Sequence, residues 1–362
     1  MADDLTRATI SISGGSSGNA VEIQAPGSAI KELAALAHPF FVMEASSHRS
    51  EHLPTVIVST VPPEGPHWRR WSSSSAYEPD RVLWLADTSR SIAVIGEPSH
   101  WRDQQVLRSV RHLLRWLAYA SGDLLLHGGM VRSAGTGIAF VGGKRSGKTS
   151  SILSSLLHGA DFVSNDDVTF TEGPDGRLIG YGFPRTVNVR TDSLMSLARS
   201  HPAMEGLLSG ASHPTNTFEG RHRTSESITT RSGKNLPGSL WARSTELSDI
   251  IGCRVLPRSQ IDTVVFPQFD DQIEAPRISV LDHRRAEATL SEHTEVQGTK
   301  YDPFLADWFP ETDRPRRERL LHKLLMETSF LHLTQDMQNL CEATRALLHS
   351  PDLHRDGAGQ GR

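Results

Sequence analysis

The sequence has little cysteine, little net charge and no long hydrophobic run. Only Cys253 and Cys341 are cysteines, too few for a disulfide framework and without the spacing of a metal site. No segment approaches the ~18 consecutive apolar residues of a membrane span. These absences exclude a disulfide-rich scaffold and a membrane-spanning protein. We expect two structural cysteines in a reducing compartment.

The charge pattern excludes another class of partner. The formal net charge is −4, and no Lys- and Arg-rich run is interleaved with aromatic residues, so we expect no nucleic-acid partner. Residues 1–7 include acidic side chains and no apolar segment follows them, which predicts a cytoplasmic protein without an export signal. The 362 residues allow two domains or one large domain with extensions, and 37% apolar residues suffice for a core.

What the sequence does contain is a complete G-x-x-x-x-G-K-[ST] phosphate-binding motif. The glycines let backbone N–H groups turn inward around a polyphosphate, and the start of the following helix adds a positive dipole end. Lys148 is placed to neutralise the β and γ phosphates, and the Thr149 hydroxyl to coordinate Mg²⁺. We therefore expect ATP and Mg²⁺ as cofactors. The predicted nucleotide contacts are Gly142, Gly143, Lys144, Arg145, Ser146, Gly147, Lys148, Thr149 and Ser150.

The segments on either side of the motif match its usual context. Residues 137–141 form an apolar, strand-like run, and residues 150–157 carry apolar positions at helical spacing. A strand before the motif and a helix after it make a chance glycine-rich turn the weaker interpretation. The pattern specifies a nucleotide but not a reaction.

A carboxylate follows at the end of the next predicted strand. Asp166 lies eighteen residues after Lys148, where side chains emerge beside the phosphate-binding loop. It could hold the metal, accept a proton from an acceptor hydroxyl or orient a water. The alternative is a solvated turn of Asn and Asp residues.

The pattern along the chain predicts an N-terminal α+β region over residues 1–118 and a nucleotide-binding domain over 119–350. Within that domain, residues 123–131 and 137–141 are expected to form a hairpin, and a strand and helix near the end to form a C-terminal extension. The polar segment 201–235 is expected to be a mobile loop, either a lid or disordered. A disordered tail is expected over 351–362.

Between residues 123 and 190 the chain resembles the HPr kinase/phosphorylase superfamily. That family carries a His-Gly pair, a glycine-rich turn, the phosphate-binding loop and an acidic motif at near-fixed distances. Here the pair is His127-Gly128, and the acidic motif lies at residues 163–168. The resemblance implies an α/β fold of the HPr kinase C-terminal-domain type, with Asp166 as general base and metal ligand and His127 assisting. Without the resemblance, His127 is more simply a structural histidine at a strand end.

Two departures from the family pattern bear on metal and substrate. Asn165 stands where the family has its first aspartate, and Asn188 replaces a glutamate expected near the metal, so a second metal ion is not predicted. No clear copy of the arginine-bearing loop linked with phosphorylase activity follows; Arg254 and Arg258 are the nearest candidates. The pattern is similar to divergent members from bacterial biosynthetic clusters, which phosphorylate a hydroxyl of a small molecule or modified peptide.

The predicted activity is therefore a kinase that transfers the γ-phosphoryl group of ATP to a small-molecule or peptide hydroxyl. Arg185, Asn188 and Arg190 are the candidate substrate contacts. The family's ring assemblies suggest a homo-oligomer. One alternative is an ATPase or nucleotide switch acting through a protein partner. Another is a module that binds nucleotide without chemistry, which an intact Lys148, Thr149 and Asp166 argue against.

Overall fold

The computed structural model contains two mixed α/β units. It describes residues 7–16, 18–46, 52–75, 77–218, 227–229, 235–294, 302–310 and 313–350. The first unit comprises residues 1–122, 218–222 and 296–313, and the second comprises 123–217, 223–295 and 314–362. The predicted boundary after residue 118 lies close to this division. Residues 296–313, which the sequence pattern places in the second domain, belong to the first unit.

The helices and strands are numbered in chain order. The strands are β1 (Arg7–Gly14), β2 (Ala20–Pro26), β3 (Phe41–Ala45), β4 (Thr55–Ser59), β5 (Arg69–Ser73), β6 (Arg81–Ala86), β7 (Ser91–Ile95), β8 (Leu124–Leu126), β9 (Gly128–Ser133), β10 (Thr136–Val141), β11 (Asp161–Ser164), β12 (Val168–Glu172), β13 (Leu178–Tyr181), β14 (Val187–Arg190), β15 (Ser227–Thr229), β16 (Asn235–Pro237), β17 (Ser239–Ala242), β18 (Arg258–Gln260), β19 (Thr263–Phe269), β20 (Arg277–Val280) and β21 (Ser329–Gln335). The helices are α1 (Gly27–Ala37), α2 (His100–Ala120), α3 (Lys148–Leu157), α4 (Thr191–Ser200), α5 (Leu207–Gly210), α6 (Ser244–Ile251), α7 (His283–His293), α8 (Leu305–Trp308), α9 (Arg314–Glu327) and α10 (Leu340–Leu348).

The first unit is built on a seven-stranded sheet in the order β3-β1-β2-β4-β7-β6-β5. Helices α1 and α2 contact this sheet and each other. Helix α2 begins where the Ser99 side chain accepts a hydrogen bond from the Arg102 amide (3.2 Å), which satisfies one of the free N–H groups of its first turn. These strands and helices agree with the α+β character predicted for residues 1–118.

A charged network lies inside the first unit. The His112 imidazole is 2.8 Å from a carboxylate oxygen of Asp302, and Arg81 donates to the other oxygen at 2.8 Å. Burial lowers the pKa of His112 to about 3, despite the opposing effect of Asp302. Burial alone would raise the pKa of Asp302, but His112 and Arg81 outweigh it and lower that pKa. His112 is therefore neutral and Asp302 ionised at pH 7.

This network predicts acid sensitivity. Because the pKa of His112 is lower in the folded chain than in the unfolded chain, the unfolded chain takes up the extra proton. The free energy of unfolding should fall as pH drops from about 6.5 towards 3, by up to 1.4 kcal/mol per pH unit. The lowered pKa of Asp302 acts in the same direction below about pH 4.

Chemical denaturation at a series of pH values checks this expectation. His112→Gln should flatten the pH dependence, whereas substitution of the exposed His100 on the same helix, His100→Gln, should leave it as in the wild type. Equal slopes in the wild type and His112→Gln would show that His112 does not couple proton uptake to unfolding.

The second unit is built on a six-stranded sheet in the order β11-β9-β10-β19-β21-β20. Strands β19 and β21 run parallel to β10, and β9 runs antiparallel to it. The inner residues of β10, from Ile138 to Val141, are fully buried, as expected for a central strand with apolar residues at successive positions. A second sheet, β18-β13-β12-β8, completes the core with α7 and α9.

Three details differ from the sequence-based expectations. The run 123–131 is broken at His127 into β8 and β9, which belong to different sheets, because β9 turns to pair with both β10 and β11. Strand β21 lies inside the central sheet rather than in a C-terminal extension, because it pairs with β19 on one side and β20 on the other. The described part of 201–235 contains helical turns and the β15–β16 pair, instead of a loop without secondary structure.

Other sequence-based expectations concern residues outside the described part of the chain. The predicted tail, 351–362, lies there, as does the remainder of 201–235. No helix in the described ranges is both long and apolar enough to cross a membrane. Burial raises the pKa of Cys253 to about 11, so its thiol is protonated at neutral pH, in keeping with a structural role.

Candidate functional site

The phosphate-binding motif forms the connection between β10 and α3, at the carboxyl edge of the central sheet. Arg145 and Gly147 both have positive φ, 67° and 107°, which bends the loop back towards the helix. A Cβ atom at Gly147 would lie 2.6 Å from Nε2 of Gln335, so a larger residue would displace that side chain. Gly147 is therefore required by both its conformation and its surroundings.

Lys148 folds back over the loop. Its ammonium donates to the carbonyl oxygens of Gly142 (2.7 Å) and Gly143 (2.9 Å), and only 7% of the residue is exposed. The aliphatic stem is thus packed while the charge lies against the first two residues of the motif. An anion in the loop would find this ammonium next to the peptide groups that surround it.

Thr149 contacts the acidic motif. Its hydroxyl donates to the side-chain oxygen of Asn165 at 3.2 Å, and the amide nitrogen of Asn165 is buried without a hydrogen-bond partner among the described residues. A hydroxyl that donates a hydrogen bond to a neighbour keeps the lone pairs of its oxygen for a cation. This contact fits a role for Thr149 as a metal ligand whose side chain is positioned by Asn165.

The donor set suits Mg²⁺ held together with phosphate. Among the described residues there is no group of three or more His, Cys, Asp or Glu side chains that could hold a metal ion alone. Mg²⁺ commonly uses one or two carboxylates and the phosphates of its nucleotide in place of an all-protein cage. Thr149 and Asp166 would hold it here, and the ion would neutralise charge on the phosphate oxygens.

Asp166 and Asp167 follow β11 and differ sharply in environment. Asp166 has a positive φ of 66°, and its side chain is 24% exposed, whereas the Asp167 side chain is fully buried. Arg185 joins the two: one guanidinium nitrogen lies 2.7 Å from Asp167, and another lies 3.6 Å from Asp166. Asp166 is therefore the carboxylate that a substrate can reach.

His127 lies beside this turn. Its Nδ1 is 3.2 Å from the backbone oxygen of Asp166, and its own amide donates to the backbone oxygen of His293 at 3.1 Å. The neighbouring Gly129 allows this approach, because a Cβ atom there would lie 2.7 Å from the Ser164 carbonyl oxygen. His127 contacts the main chain of Asp166, which suits a residue that positions the carboxylate.

The other predicted contacts lie in different surroundings. Arg190 binds the Asp192 carboxylate (2.6 Å), and Asn188 lies in β14 opposite Trp241. The Ser150 hydroxyl donates to the hydroxyl of Ser193 near the start of α4 (3.0 Å). Among the three predicted substrate residues, Arg185 is the one with a described contact to Asp166.

The two arginines considered for phosphorylase activity also have described contacts elsewhere. Arg254 forms an ion pair with Asp161 at 2.6 Å, and Arg258 lies over the Tyr181 ring, 5.8 Å from its centroid. Neither contact involves the acidic motif or the phosphate-binding loop. The described contacts therefore support Arg185, not these residues, as the arginine of the site.

Two features of the site were missed by sequence reasoning. Gln335 is fully buried at the end of β21. Its side chain donates a hydrogen bond to the Ser151 hydroxyl (2.9 Å) and lies beside Gly147, so it stabilises the loop and the first turn of α3. The second is the buried partnership of Asp167 with Arg185. A polar residue at the end of an apolar strand was the available signal for Gln335. The run Asn165-Asp166-Asp167 has no signal that separates the buried aspartate from the exposed one.

The contacts of Arg185 lead to a prediction. For the kinase activity predicted from the sequence, Arg185→Gln should lower kcat by roughly 10- to 100-fold through misplacement of Asp166, with little change in KM for ATP. Arg185→Lys should recover part of the loss because it keeps the charge but not the fork geometry. Steady-state kinetics test this, with Arg199→Gln, an exposed site on α4, as the control. A rise in KM for ATP at unchanged kcat would instead assign Arg185 to nucleotide binding.

Comparison of the chain with protein-family models and with curated proteins gives no match.

Proposed function

We propose that the protein is an ATP-dependent phosphotransferase, a P-loop kinase of the HPr-kinase-like type that acts on a hydroxyl group. The observation that carries the proposal is the convergence of Lys148, Thr149 and the reachable Asp166 around one loop. A cation for the phosphates, a metal ligand and a carboxylate for the acceptor are the parts that phosphoryl transfer requires.

In the proposed reaction Asp166 accepts the proton of the acceptor hydroxyl. The acceptor oxygen forms a bond to the γ-phosphorus while the bond from that phosphorus to the β–γ bridging oxygen breaks, leaving ADP. Lys148 and the loop amides stabilise the charge that spreads over the phosphate oxygens. Thr149 and Asp166 would hold Mg²⁺, which would neutralise part of that charge. Asn165 accepts a hydrogen bond from the Thr149 hydroxyl, which leaves the lone pairs of that oxygen for a cation.

Arg185 and His127 position the general base in this scheme. Arg185 bridges Asp166 and the buried Asp167, and His127 holds the Asp166 main chain. The positive φ of Asp166 is an unusual conformation for a residue other than glycine. These contacts can maintain that conformation and so keep the carboxylate beside the phosphate-binding loop.

Transfer of label from γ-labelled ATP is the direct test. The protein is incubated with Mg²⁺, labelled ATP and candidate hydroxyl compounds, with Asp166→Asn in parallel. Label in an acceptor, dependent on Asp166, is the expected result. Release of free phosphate at the same rate with every candidate compound would contradict the kinase proposal. It would indicate an ATPase or a nucleotide switch that acts through a protein partner.

A further inference from the structure

A cavity opens next to the phosphate-binding loop, on the side of α7. Its volume is about 480 Å³, within the range of small-molecule sites. One wall includes Gly142, Gly143 and Ser146 of the loop, and residues of α7 also line the cavity. The Lys148 ammonium is bonded to the carbonyl oxygens of Gly142 and Gly143, so this wall adjoins the proposed site of the reacting phosphoryl group.

The cavity is also connected to the proposed general base. His293, which lines it, accepts the backbone hydrogen bond of His127, and His127 contacts the backbone oxygen of Asp166. Two hydrogen bonds therefore link the cavity wall to the main chain of Asp166, the residue proposed to take the acceptor proton.

The cavity is lined by apolar side chains and by side chains that carry nitrogen donors. Phe266, Pro267 and Leu281 supply apolar surface, while Arg285, His293 and His332 supply nitrogen donors. Among the described residues that line the cavity there is no aspartate or glutamate. The nearby carboxylate of Asp282 lies 3.8 Å from the Arg285 guanidinium, and both side chains are mostly exposed, so that pair is weak.

The permanent positive charge of the lining is that of Arg285. Burial lowers the pKa of His332, and its ring nitrogens lie 3.0 Å from the Gln268 side-chain oxygen and 3.5 Å from the Thr334 hydroxyl. The Ser146 hydroxyl oxygen is buried and has no hydrogen-bond partner among the described residues. A buried polar atom without a partner at a cavity wall is commonly satisfied by a ligand or water.

We propose that this cavity binds the phosphoryl acceptor, and that the acceptor carries an anionic group, a carboxylate or a phosphate, near its reactive hydroxyl. Arg285 binds the anion, and the Ser146 hydroxyl binds a polar atom of the same molecule. This inference rests on the proposed kinase function, because it assumes that the phosphoryl group is transferred beside the Lys148 ammonium. It identifies the substrate class that the sequence left open.

Saturation-transfer NMR on the full chain, with Mg²⁺ and a non-hydrolysable ATP analogue, tests the proposal. The probes are N-acetyl-L-serine and glycerol 3-phosphate, each paired with its uncharged counterpart, N-acetyl-L-serinamide and glycerol. At least one anion should bind better than its counterpart, which identifies carboxylate or phosphate as the preferred group. Arg285→Ala should weaken that binding roughly tenfold, the loss expected for one charge-assisted hydrogen bond.

The controls separate the inference from the proposed function. Arg284→Ala removes an exposed positive charge from the next position of α7, outside the cavity, and should leave anion binding unchanged. The affinity for a fluorescent ATP analogue should be the same in both variants and the wild type. No nucleotide binding by the wild type would refute the proposed function itself.

Three other outcomes would overturn the inference alone. These are normal nucleotide binding without preference for either anion, equal losses in the two arginine variants, and weaker nucleotide binding in Arg285→Ala. The last outcome would assign the cavity to the base of the nucleotide.

Discussion

Asp166→Asn is expected to reduce phosphoryl transfer by about three orders of magnitude, the range of a lost general base. The amide keeps the shape of the carboxylate and its main-chain contact with His127, but it cannot take the proton of an acceptor hydroxyl. Because Lys148, Thr149 and the loop glycines are untouched and asparagine keeps one side-chain oxygen for the cation, nucleotide affinity should fall far less than the rate of transfer. Single-turnover transfer from labelled ATP and titration with a fluorescent ATP analogue measure the two effects separately.

The control for this variant is Asp249→Asn, which removes an exposed aspartate on α6. It should retain full transfer and full affinity. If Asp166→Asn transferred phosphate at the wild-type rate, Asp166 would not be the base and the proposed mechanism would fail. A loss of nucleotide affinity as large as the loss of transfer would show that Asp166 acts mainly through the metal.

Lys148→Ala is expected to have the second large effect, a loss of transfer of about two to three orders of magnitude. In the structure the ammonium is held by the Gly142 and Gly143 carbonyl oxygens, so its position is set before any ligand arrives. Alanine removes the cation that would stabilise charge on the γ-phosphate and leaves a gap under the loop. Nucleotide affinity should fall as well, because the ground-state phosphates lose the same contact.

Transfer kinetics, nucleotide titration and thermal unfolding together test the Lys148 prediction. Lys31→Ala, at an exposed position of α1, is the control and should behave as the wild type. Unfolding should show that Lys148→Ala remains folded, which separates a lost contact from a lost structure. Unchanged transfer in a folded Lys148→Ala protein would contradict the assignment of this loop to the reacting phosphates.

Local elements were predictable where a short stretch of sequence carries its own signal. The alternating residues of β1 and the long amphipathic pattern of α2 identify these elements without reference to the rest of the chain. The strand β10, the loop and α3 follow from the motif and its neighbours in the same way. The coarse class, a mixed α/β protein, is confirmed on this basis.

The placement of β21 could not be predicted in this manner. Its strand character was evident, but its pairing with β19 depends on a connection that crosses α7, α8 and α9. A strand of apolar residues looks the same in an extension and in the centre of a sheet. The expectation of a C-terminal extension was wrong for that reason.

The sequence by itself determined the identity of the loop, its glycine positions and the helix that starts at Lys148. These depend on neighbouring residues: positive φ values select glycine, and apolar spacing selects a helix. It also identified Asp166 as a candidate. It could not distinguish the partly exposed Asp166 from the buried Asp167, since both follow the same strand.

The tertiary structure decided which distant residues complete the site. The contacts of Arg185 with Asp167, His127 with Asp166 and Gln335 with Ser151 join positions 18, 39 and 184 residues apart. Such pairings depend on the order of strands in the sheets and on the crossings between them, which no local pattern encodes. The cavity beside α7 has the same origin, because its walls come from the loop, three strands and a helix that meet only in the folded chain.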